Sequence, residues 1–323
     1  MHEARPLIAA LALLSALTAV PGASAAYPDR PITMIVAYGA GGSTDVTARM
    51  LVPYIEKNLG GNAHIEIVNK AGAGGEMGFA AIADAVPDGY TIGFINTPNV
   101  LTIPIERPAR YAPERIDPLV NIVDDPGVMT VRSDSPFRTV PELVGFARDM
   151  PDTVTVGSTG VGSDDHLAML VLQRQARAPM KHVPFPGSAE NYRAMLGGHI
   201  LVSAMNLGEG LRARRSDDSI VLGVMSGARP DLAPDLPTFR EQGYDITIAA
   251  LRGIGAPKGL PADIRTRLVE AITKAADDPE FRAGARETFQ PIRVLGPEAF
   301  ADELRGMARD FRALWDENPW SNR

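Results

Sequence analysis

The chain has 323 residues, a formal net charge of −7, a sequence pI of about 5.3 and 45% hydrophobic residues, enough for one large domain or two lobes of ordinary size. The acidic balance and the lack of a basic tract exclude a nucleic-acid-binding protein, because such proteins neutralise phosphates with clustered Lys and Arg. The sequence has no cysteine, which excludes disulfides, thiolate metal sites, cysteine nucleophiles and a lipid anchor on cysteine.

Residues 1–26 have the pattern of a secretory signal peptide. Arg5 supplies a short positive region, residues 7–20 are apolar, and Ala23-Ser24-Ala25 matches a small-x-small cleavage site. The apolar run of about 14 residues is shorter than the roughly 20 that span a bilayer, which disfavours a membrane anchor. We therefore expect a periplasmic protein that is cleaved near Ala25 and Ala26 and is not embedded in the membrane.

The mature chain alternates short apolar runs with amphipathic stretches, which is typical of an α/β protein. The apolar runs predict strands at 31–37, 64–68, 91–95, 119–123, 128–131, 153–156, 181–185, 199–205, 220–225 and 246–255. The amphipathic stretches predict helices at 43–59, 139–148, 163–175, 188–196, 261–276, from 279, and at 297–315.

Two segments have the composition of crossings between lobes. Asp124-Asp125-Pro126-Gly127 places turn residues between two apolar runs, and residues 228–245 are dense in proline and polar residues. Two crossings would put the first and last segments of the mature chain in one lobe and the middle segment in the other. We therefore predict lobe 1 from residues 27–124 with 250–323, and lobe 2 from residues 125–249.

A glycine-rich turn, Gly39-Ala40-Gly41-Gly42, joins the first predicted strand to the first predicted helix. Glycines permit positive φ, which turns N–H groups toward one point, and Ser43 or Thr44 can cap the helix that follows. A helix N-terminus attracts an anion without a cationic side chain. The pattern fits an anion site and also fits an ordinary strand-to-helix turn. Asp45 is expected in a first helical turn from the dipole alone, and it also fits a role in which it bonds loop amides or a water beside the ligand.

A second turn, Gly157-Ser158-Thr159-Gly160-Val161-Gly162-Ser163, repeats this design in the middle of the chain. A nucleotide-binding P-loop is excluded, because Ser163 occupies the place where that motif requires Lys. Asp164, Asp165 and His166 follow at a helix start, where adjacent side chains diverge around the axis, which disfavours a metal site. Two such loops in separate halves of the chain can hold one carboxylate from both sides.

An enzyme is disfavoured by the same inspection. No histidine of the mature chain lies beside an evident nucleophile motif. The glycines of residues 72–78 are spaced one residue too far apart for a dinucleotide fingerprint. We therefore predict no catalytic residue, no cofactor and no metal ion.

The mature chain carries an ordered series of short motifs. They are Tyr27-Pro28-Asp29-Arg30-Pro31-Ile32, Gly41-Gly42-Ser43-Thr44-Asp45, Ala48-Arg49, Ala71-Gly72-Ala73-Gly74-Gly75, Pro87-Asp88-Gly89-Tyr90-Thr91, the 157–166 loop with His166-Leu167-Ala168, His182-Val183-Pro184-Phe185, Gly187-Ser188-Ala189, Leu196-Gly197-Gly198-His199-Ile200, Ala233-Pro234-Asp235-Leu236-Pro237-Thr238 and Ala256-Pro257-Lys258-Gly259-Leu260-Pro261. The series resembles the Bug-type, TctC-like solute-binding proteins of tripartite tricarboxylate transporters over almost the whole mature chain.

The resemblance implies an α/β fold of the periplasmic-binding-protein type, a two-lobe clamshell with a central sheet in each lobe. Two strand-to-helix loops would hold a small organic carboxylate, partly through ordered water. The implied ligand-binding positions are Tyr38, Gly39, Ala40, Gly41, Gly42, Ser43, Thr44, Asp45, Ser158, Thr159, Gly160, Gly162, Ser163, Gly187, Ser188, Ala189 and Asn206.

This chain departs from the family pattern at two places. Family members commonly carry Phe and Pro in the first loop, where this chain has Tyr38-Gly39-Ala40. Asn206 stands where many relatives have Asp, which is expected to make the pocket less negative and more tolerant of a second carboxylate. Asn96, Thr97 and Asn99 are further candidate contacts from the first lobe.

The expected function is capture of a small organic carboxylate by a monomer, which delivers it to the membrane subunits of a tripartite tricarboxylate transporter. A sensor that presents the bound carboxylate to a signalling receptor would use the same clamshell, and the sequence does not separate the two functions. An exported enzyme acting on a carboxylate is a third alternative. The sequence names neither the ligand nor its number of carboxyl groups.

Overall fold

Ten strands and ten helices occupy the part of the chain that the structure describes, residues 27–317 and 319–321 of a computed structural model. The strands are β1 (Ile32–Val36), β2 (Ile65–Asn69), β3 (Thr91–Asn96), β4 (Ile116–Arg132), β5 (Thr155–Ser158), β6 (Lys181–Pro184), β7 (Val202–Asn206), β8 (Ser219–Val224), β9 (Ala249–Pro257) and β10 (Ile292–Leu295). The helices are α1 (Ser43–Leu59), α2 (Glu76–Ala83), α3 (Asn99–Glu106), α4 (Val140–Asp149), α5 (Asp164–Ala176), α6 (Ser188–Leu196), α7 (Leu207–Ala213), α8 (Ala262–Asp277), α9 (Pro279–Glu287) and α10 (Pro297–Glu317). The predicted signal peptide and its cleavage site lie outside the described residues.

The first half of the sheet is built around β1. Strands β2 and β3 flank β1 in parallel, and β3 pairs antiparallel with β9. Strands β9 and β10 both pair antiparallel with the first part of β4. Parallel strands end at one edge of a sheet, so the turn after β1 and Asn96 at the end of β3 lie at the same edge.

The second half of the sheet is built around β5. Strands β6 and β7 flank β5 in parallel, and β7 and β8 pair antiparallel with the last part of β4. The carboxyl ends of β5, β6 and β7 therefore share an edge. That edge carries the second glycine-rich turn, the turn before α6 and Asn206.

Strand β4 joins the two halves without a break over 17 residues. The predicted turn at residues 124–127 is therefore wrong. Pro126 still pairs with Ala249 of β9, and Gly127 pairs with Asn206 of β7, so the strand changes partners at this point without reversing. Long-range pairing with β9 and β7 overrides the local turn preference of these residues.

The other predicted strands and helices are confirmed, with bounds that shift by three residues or fewer. Thr139 caps α4 in a capping box with Glu142, as its sequence indicates. Helices α2, α3 and α7 and strand β10 were not predicted from the sequence. Helix α3 contains Pro104, α7 has seven residues, and β10 has four, so none of them has a long periodic pattern.

Helices cover both halves of the sheet. One apolar core packs α1 and α8 onto β1, β3, β4 and β9, and a second packs α4 and α5 onto β4, β5 and β7. A third cluster joins Leu167 of α5 to Leu251 of β9 and Phe300 of α10, so α5 packs against elements of the first half. The start of α5 is thereby placed between the two halves of the sheet.

Candidate functional site

The first loop, residues 38–45, connects β1 to α1 and is mostly exposed. Gly42 is the N-cap of α1, and no side chain of the described chain caps this helix. The expectation that Ser43 or Thr44 is the cap is therefore wrong. Ser43 Oγ instead donates a hydrogen bond to Glu209 Oε1 (3.3 Å). The missing side-chain cap leaves the N–H groups of the first helical turn to another acceptor.

Asp45 holds the first loop in place from within. Its Oδ2 accepts hydrogen bonds from Gly41 N (2.8 Å) and Arg49 Nε (2.8 Å), and its Oδ1 accepts one from Asn69 Nδ2 (3.0 Å). Asn69 also donates to the Tyr38 carbonyl (3.0 Å). Burial opposes ionisation of Asp45, but these donors and the Arg49 charge hold its pKa below the usual value. The carboxylate is thus engaged in fixing the loop.

The second loop, residues 158–163, connects β5 to α5 and is largely buried. Ser163 is the N-cap of α5, since its Oγ accepts a hydrogen bond from His166 N (3.3 Å), and it donates to the Gly160 carbonyl (2.8 Å). Thr159 donates to Asp165 Oδ2 from both its N (3.1 Å) and its Oγ1 (2.8 Å). These donors are therefore used within the loop and the first turn of α5.

Two stacked histidines support the second loop. The rings of His166 and His182 have centroids 3.7 Å apart and planes within 9°. His166 Nδ1 accepts a hydrogen bond from Gly162 N (3.2 Å), and His182 Nε2 lies 2.6 Å from Ser158 Oγ. Burial lowers the pKa of His166 to about 3 and that of His182 to about 4, so both rings are neutral at pH 7. Ser158 is fully buried, which gives its pair with His182 a structural role.

A buried polar network lies where β4, β7 and β9 meet. Arg252 Nη1 is 2.9 Å from Asp125 Oδ2, and Arg252 Nη2 donates to Asn206 Oδ1 (3.3 Å). Asp125 Oδ1 accepts a hydrogen bond from Gly208 N (3.1 Å), and Asn206 Nδ2 donates to Asp164 Oδ2 (2.6 Å). Asn206 therefore lies directly beside the carboxylate of Asp164.

The two carboxyl groups at the start of α5, those of Asp164 and Asp165, have raised pKa values. Burial raises the pKa of Asp164 to about 6, and burial together with the charges of Asp164 and Glu209 raises the pKa of Asp165 well above its usual value. Burial also raises the pKa of the Tyr38 hydroxyl, and the charge of Asp164 adds to that effect. Tyr38 also packs against the apolar cluster that contains Leu167, which places the first loop close to the start of α5.

Glu209 in α7 joins three of the predicted site residues. Its Oε1 accepts hydrogen bonds from Ser188 Oγ (2.8 Å) and Ser43 Oγ (3.3 Å), and its Oε2 accepts one from Asn206 N (3.2 Å). Ser188 belongs to the turn 187–189 that begins α6. The structure therefore brings the first loop, this turn and the end of β7 together around one carboxylate.

The further candidates from the first lobe have different surroundings. Asn96 Nδ2 donates to Thr44 Oγ1 (2.9 Å), which places Asn96 directly beside the first turn of α1. Thr97 Oγ1 accepts a hydrogen bond from the backbone N–H of Leu251 in β9 (2.9 Å), so this hydroxyl ties two strands together. Asn99 is the first residue of α3. Asn96 is thus the candidate that adjoins the first loop.

Three residues of this region were not predicted from the sequence: Asp125, Glu209 and Arg252. Arg252 had a signal, because a charged residue within an otherwise apolar strand must find a partner when it is buried. Asp125 was assigned to a turn. Glu209 gave no separate signal, since an acidic residue in a first helical turn is expected from the helix dipole alone.

Asp164, Asp165 and His166 have separate partners and do not converge on one point. Within residues 27–317 and 319–321, no group of three or more His, Cys, Asp or Glu side chains is placed to hold a metal ion. In the same described part of the chain, no helix is both long and apolar enough to cross a membrane.

Comparison with known proteins places these features in a family. The profile of the family described as the tripartite tricarboxylate transporter family receptor, TctC, matches residues 47–292. A Cupriavidus necator protein, described as the UPF0065 protein in the gbd 5′ region, is 32% identical over 282 residues, which cover 86% of this chain and 85% of that protein.

Two solved structures have folds similar to that of this chain. The periplasmic binding protein BugD is 27% identical and superposes with a TM-score of 0.80, covering 92% of this chain and all of BugD. MatC from Rhodopseudomonas palustris with bound malate is 25% identical and superposes with a TM-score of 0.78, covering 89% of this chain and 99% of MatC. These likenesses confirm the predicted two-lobe α/β clamshell.

Proposed function

The chain belongs to the tripartite tricarboxylate transporter receptor family of solute-binding proteins, and from this premise we propose that it captures a small organic carboxylate between the first and second loops. It delivers this solute, as a monomer, to the membrane subunits of such a transporter. Residues 1–26 direct its export to the periplasm. The malate bound to MatC supports a carboxylate as the class of ligand.

The observation that carries the proposal is the start of α1. Gly42 caps this helix without a side chain, residues 39–42 are exposed, and the first-turn N–H groups are left for an outside acceptor. A carboxylate at this place gains charge-assisted hydrogen bonds, each worth about 1.5–3 kcal/mol, and the favourable end of the helix dipole. The hydroxyl of Ser43, the first residue of α1, donates a hydrogen bond to the carboxylate of Glu209.

The strand pairing supports the proposed division into lobes. Lobe 1 comprises residues 27–124 with 250–323, and lobe 2 comprises residues 125–249. The chain enters lobe 2 where β4 exchanges β9 for β7 at Pro126 and Gly127, and it returns at the start of β9. Two adjacent crossings of this kind form a hinge, so that a ligand that contacts both lobes shifts the population toward the closed form.

Titration calorimetry of the mature protein against mono-, di- and tricarboxylates tests the proposal. We expect at least one compound to bind with a measurable heat. Binding by none of the carboxylates would contradict the proposed function.

A paired substitution at the cap locates the carboxylate. Gly42→Asp supplies a side-chain cap that competes with the ligand for the first-turn N–H groups of α1, and it is expected to weaken binding at least tenfold. Gly42→Ala is the matched control, because it adds the same Cβ without an acceptor and is expected to change affinity less. Equal affinities of the two variants would contradict binding of the carboxylate at α1.

A further inference from the structure

The residues around the end of α10 belong to the proposed lobe 1 but pack on the proposed lobe 2. Trp320, which follows α10, is only 6% exposed and shares an apolar cluster with Leu167 of α5. Glu317, the last residue of α10, pairs with Arg174 of α5. The end of lobe 1 is therefore packed against the helix that follows the second loop.

Gly162 of the second loop is in contact with two side chains of lobe 1. Thr102 Oγ1 in α3 donates a hydrogen bond to the Gly162 carbonyl (3.1 Å). A Cβ on Gly162 would lie 3.2 Å from Trp320 Nε1 and 3.5 Å from Thr102 Oγ1, so the indole lies where a side chain at this position would begin. Gly162 has φ 74°, which favours glycine here as well. The position of the second loop thus depends on residues of the other lobe.

The indole N–H of Trp320 opposes the docking of its own ring. Nε1 is buried and has no hydrogen-bond partner in the described chain. An indole nitrogen can only donate, and leaving a buried donor unpaired is costly. Burial of the large aromatic ring offsets this cost, and the Trp315 ring packs edge-on against it with centroids 4.7 Å apart. Because the N–H regains water as a partner when the ring leaves, the docked indole is poised for release.

We propose that Trp320 positions the second loop for ligand capture: docked on Gly162 it holds the lobes closed, and it leaves Gly162 when they open. This inference rests on the proposed function, because it takes the two lobes to move about the hinge in β4 and β9. A solute held between the loops leaves only after the lobes open, so the docked indole slows its release. Trp320 acts through Gly162 and not on the solute, which makes it a positioning residue.

An ordinary core role for Trp320 would have a different signature. A core residue contributes to the stability of the whole protein, whereas a positioning residue also controls the local opening of the loop that it holds. Leu314 is the matched control, since it lies in α10, is 8% exposed and belongs to the same apolar cluster as Trp320. Truncation of either side chain removes packing from that cluster, and truncation of Trp320 also frees Gly162.

Hydrogen exchange in the unliganded mature protein tests the proposal. The amide of Gly162 reports on the second loop and that of Gly41 on the first, because each donates a hydrogen bond to a side chain of its own loop or helix. We expect Trp320→Ala to raise the exchange rate at Gly162 at least tenfold relative to Gly41, through a local opening with a weak dependence on urea. Leu314→Ala is expected to leave this ratio unchanged. An unchanged ratio in Trp320→Ala, or an equal rise in both variants, overturns the inference.

Trp320→Phe separates the aromatic ring from its N–H. It keeps a ring against Gly162 and removes the unpaired donor. We expect the ratio of exchange rates at Gly162 and Gly41 to be no higher than in the wild type. A rise as large as that expected of Trp320→Ala would show that the ring does not hold Gly162, and would overturn the inference.

Tryptophan fluorescence tests the release of the ring without any substitution at Trp320. The chain has two tryptophans, so Trp315→Phe leaves Trp320 as the single one. We expect acrylamide to quench Trp320 increasingly at urea concentrations below the unfolding midpoint, as the indole leaves Gly162. Quenching that increases only together with global unfolding would show that Trp320 does not leave separately, and would overturn the inference even if Trp320→Ala does not fold.

The calorimetric titrations with mono-, di- and tricarboxylates connect this position to binding. For each compound that binds the wild type, we expect Trp320→Ala to raise the Kd at least tenfold and Leu314→Ala to change it much less. Equal affinities of the wild type and Trp320→Ala overturn the inference and leave the proposed function standing. If no carboxylate binds the wild type, the proposed function fails, and exchange and quenching still decide whether Trp320 holds the second loop.

Discussion

The first and second loops have similar sequences and opposite chemistry. Both join a strand to a helix through glycines and hydroxyl residues. The first loop is exposed, and its helix is capped by Gly42, without a side-chain acceptor. In the second loop Ser158, Gly162 and Ser163 are buried, and its helix is capped by the Ser163 hydroxyl. The first loop therefore leaves the start of its helix without a side-chain acceptor, whereas the second supplies the Ser163 hydroxyl to its helix and is followed by two buried carboxylates, Asp164 and Asp165.

This difference shows that a glycine–hydroxyl motif does not by itself define an anion site. The position of the hydroxyl relative to the helix start decides the outcome. Ser163 stands at the N-cap of α5, where its Oγ reaches the N–H of His166. Ser43 stands one position later, inside α1, and its hydroxyl reaches Glu209 instead. A shift of one residue along the chain thus changes what each loop offers a ligand.

The largest expected effect comes from matched alanines at Gly157, the residue of β5 that is followed by the second loop, and at Gly39 in the first loop. A Cβ on Gly157, at the end of β5, would lie 2.0 Å from Asn191 Oδ1 and 2.5 Å from Ile200 Cδ1. A Cβ on Gly39 in the first loop would meet nothing within 4 Å. We expect Gly157→Ala to lower the free energy of unfolding by about 3 kcal/mol and Gly39→Ala by less than about 0.5 kcal/mol, measured by urea denaturation.

The control for this pair is the slope of the denaturation curve. It should be the same for both variants and the wild type if only the native packing has changed. Equal stabilities of Gly157→Ala and Gly39→Ala would contradict the contrast between a closely packed strand before the second loop and an open first loop.

Acid is expected to affect the second loop before the first. The pKa of His166 is about 3 in the folded protein, because of burial, against a usual value of 6.5. The unfolded chain therefore takes up this proton first, and stability is lost as pH falls below 6.5 toward 3. Between pH 7.5 and 5 the contribution of His166 to this loss amounts to about 2 kcal/mol. The lowered pKa of His182 adds a loss of the same sign, whereas the raised pKa values of Asp164 and Asp165 contribute in the opposite direction. We expect His166→Asn, which retains an acceptor for Gly162 N, to remove the contribution of His166 from the difference between denaturation curves at the two pH values.

Asp45→Asn is the first-loop counterpart of this experiment. The pKa of Asp45 lies below its usual value of 3.8, because hydrogen bonds and Arg49 outweigh the effect of burial. Its contribution is therefore present above pH 3.8 and is lost only as pH falls through its lowered pKa. The cost of Asp45→Asn should be the same at pH 7.5 and pH 5. A cost that varies across this range would mean that the titrations of the two loops are not separate.

Most of the helices and strands can be predicted from the sequence, because the periodic spacing of apolar residues marks them. Helix α1 is predicted with its bounds, and the Thr139 capping box marks the start of α4. The failure at residues 124–127 has a physical cause. Their local turn preference is overridden by pairing with β9 and β7, which are more than 70 residues away in sequence.

The candidate site is predicted less completely, because its decisive contacts are long-range. The two loops are evident as motifs, and so are Ser188 and Asn206 through the family resemblance. Glu209 meets Ser43 across 166 residues, and Arg252 meets Asp125 across 127 residues. Such contacts follow from the topology of the sheet, which a pattern of residues along the chain does not specify.

A smaller effect is expected from two glycines with the same backbone conformation. Gly41 in the first loop has φ 79° and Gly162 in the second has φ 74°. Alanine at either position incurs about 1–2 kcal/mol from the left-handed conformation. A Cβ on Gly162 would also lie 3.2 Å from Trp320 Nε1, whereas one on Gly41 would meet nothing within 4 Å. We expect Gly162→Ala to be the more destabilising, by about 1 kcal/mol in urea denaturation.

Equal costs at the two positions would show that Trp320 moves aside freely. A second variant decides this point, since Trp320→Ala should remove the difference between the two alanine substitutions. If the difference persists without the Trp320 ring, it arises from other contacts of Gly162, such as the hydrogen bond that Thr102 Oγ1 donates to its carbonyl (3.1 Å).

The smallest effect, and the most direct test of the comparison, comes from exchanging the helix caps. Gly42→Ser gives α1 the kind of cap that α5 has, and is expected to stabilise the protein by a few tenths of a kcal/mol while weakening carboxylate binding. Ser163→Ala removes the cap of α5 and is expected to cost about 1 kcal/mol. Its effect on carboxylate affinity should be smaller than that of Gly42→Ser, because the second loop uses its donors internally. For Gly42→Ser, the free energy of unfolding measured by urea denaturation should therefore rise, and the carboxylate affinity measured by calorimetry should fall. If both rise, the carboxylate does not bind at the start of α1, and the difference between the two loops does not determine where the ligand binds.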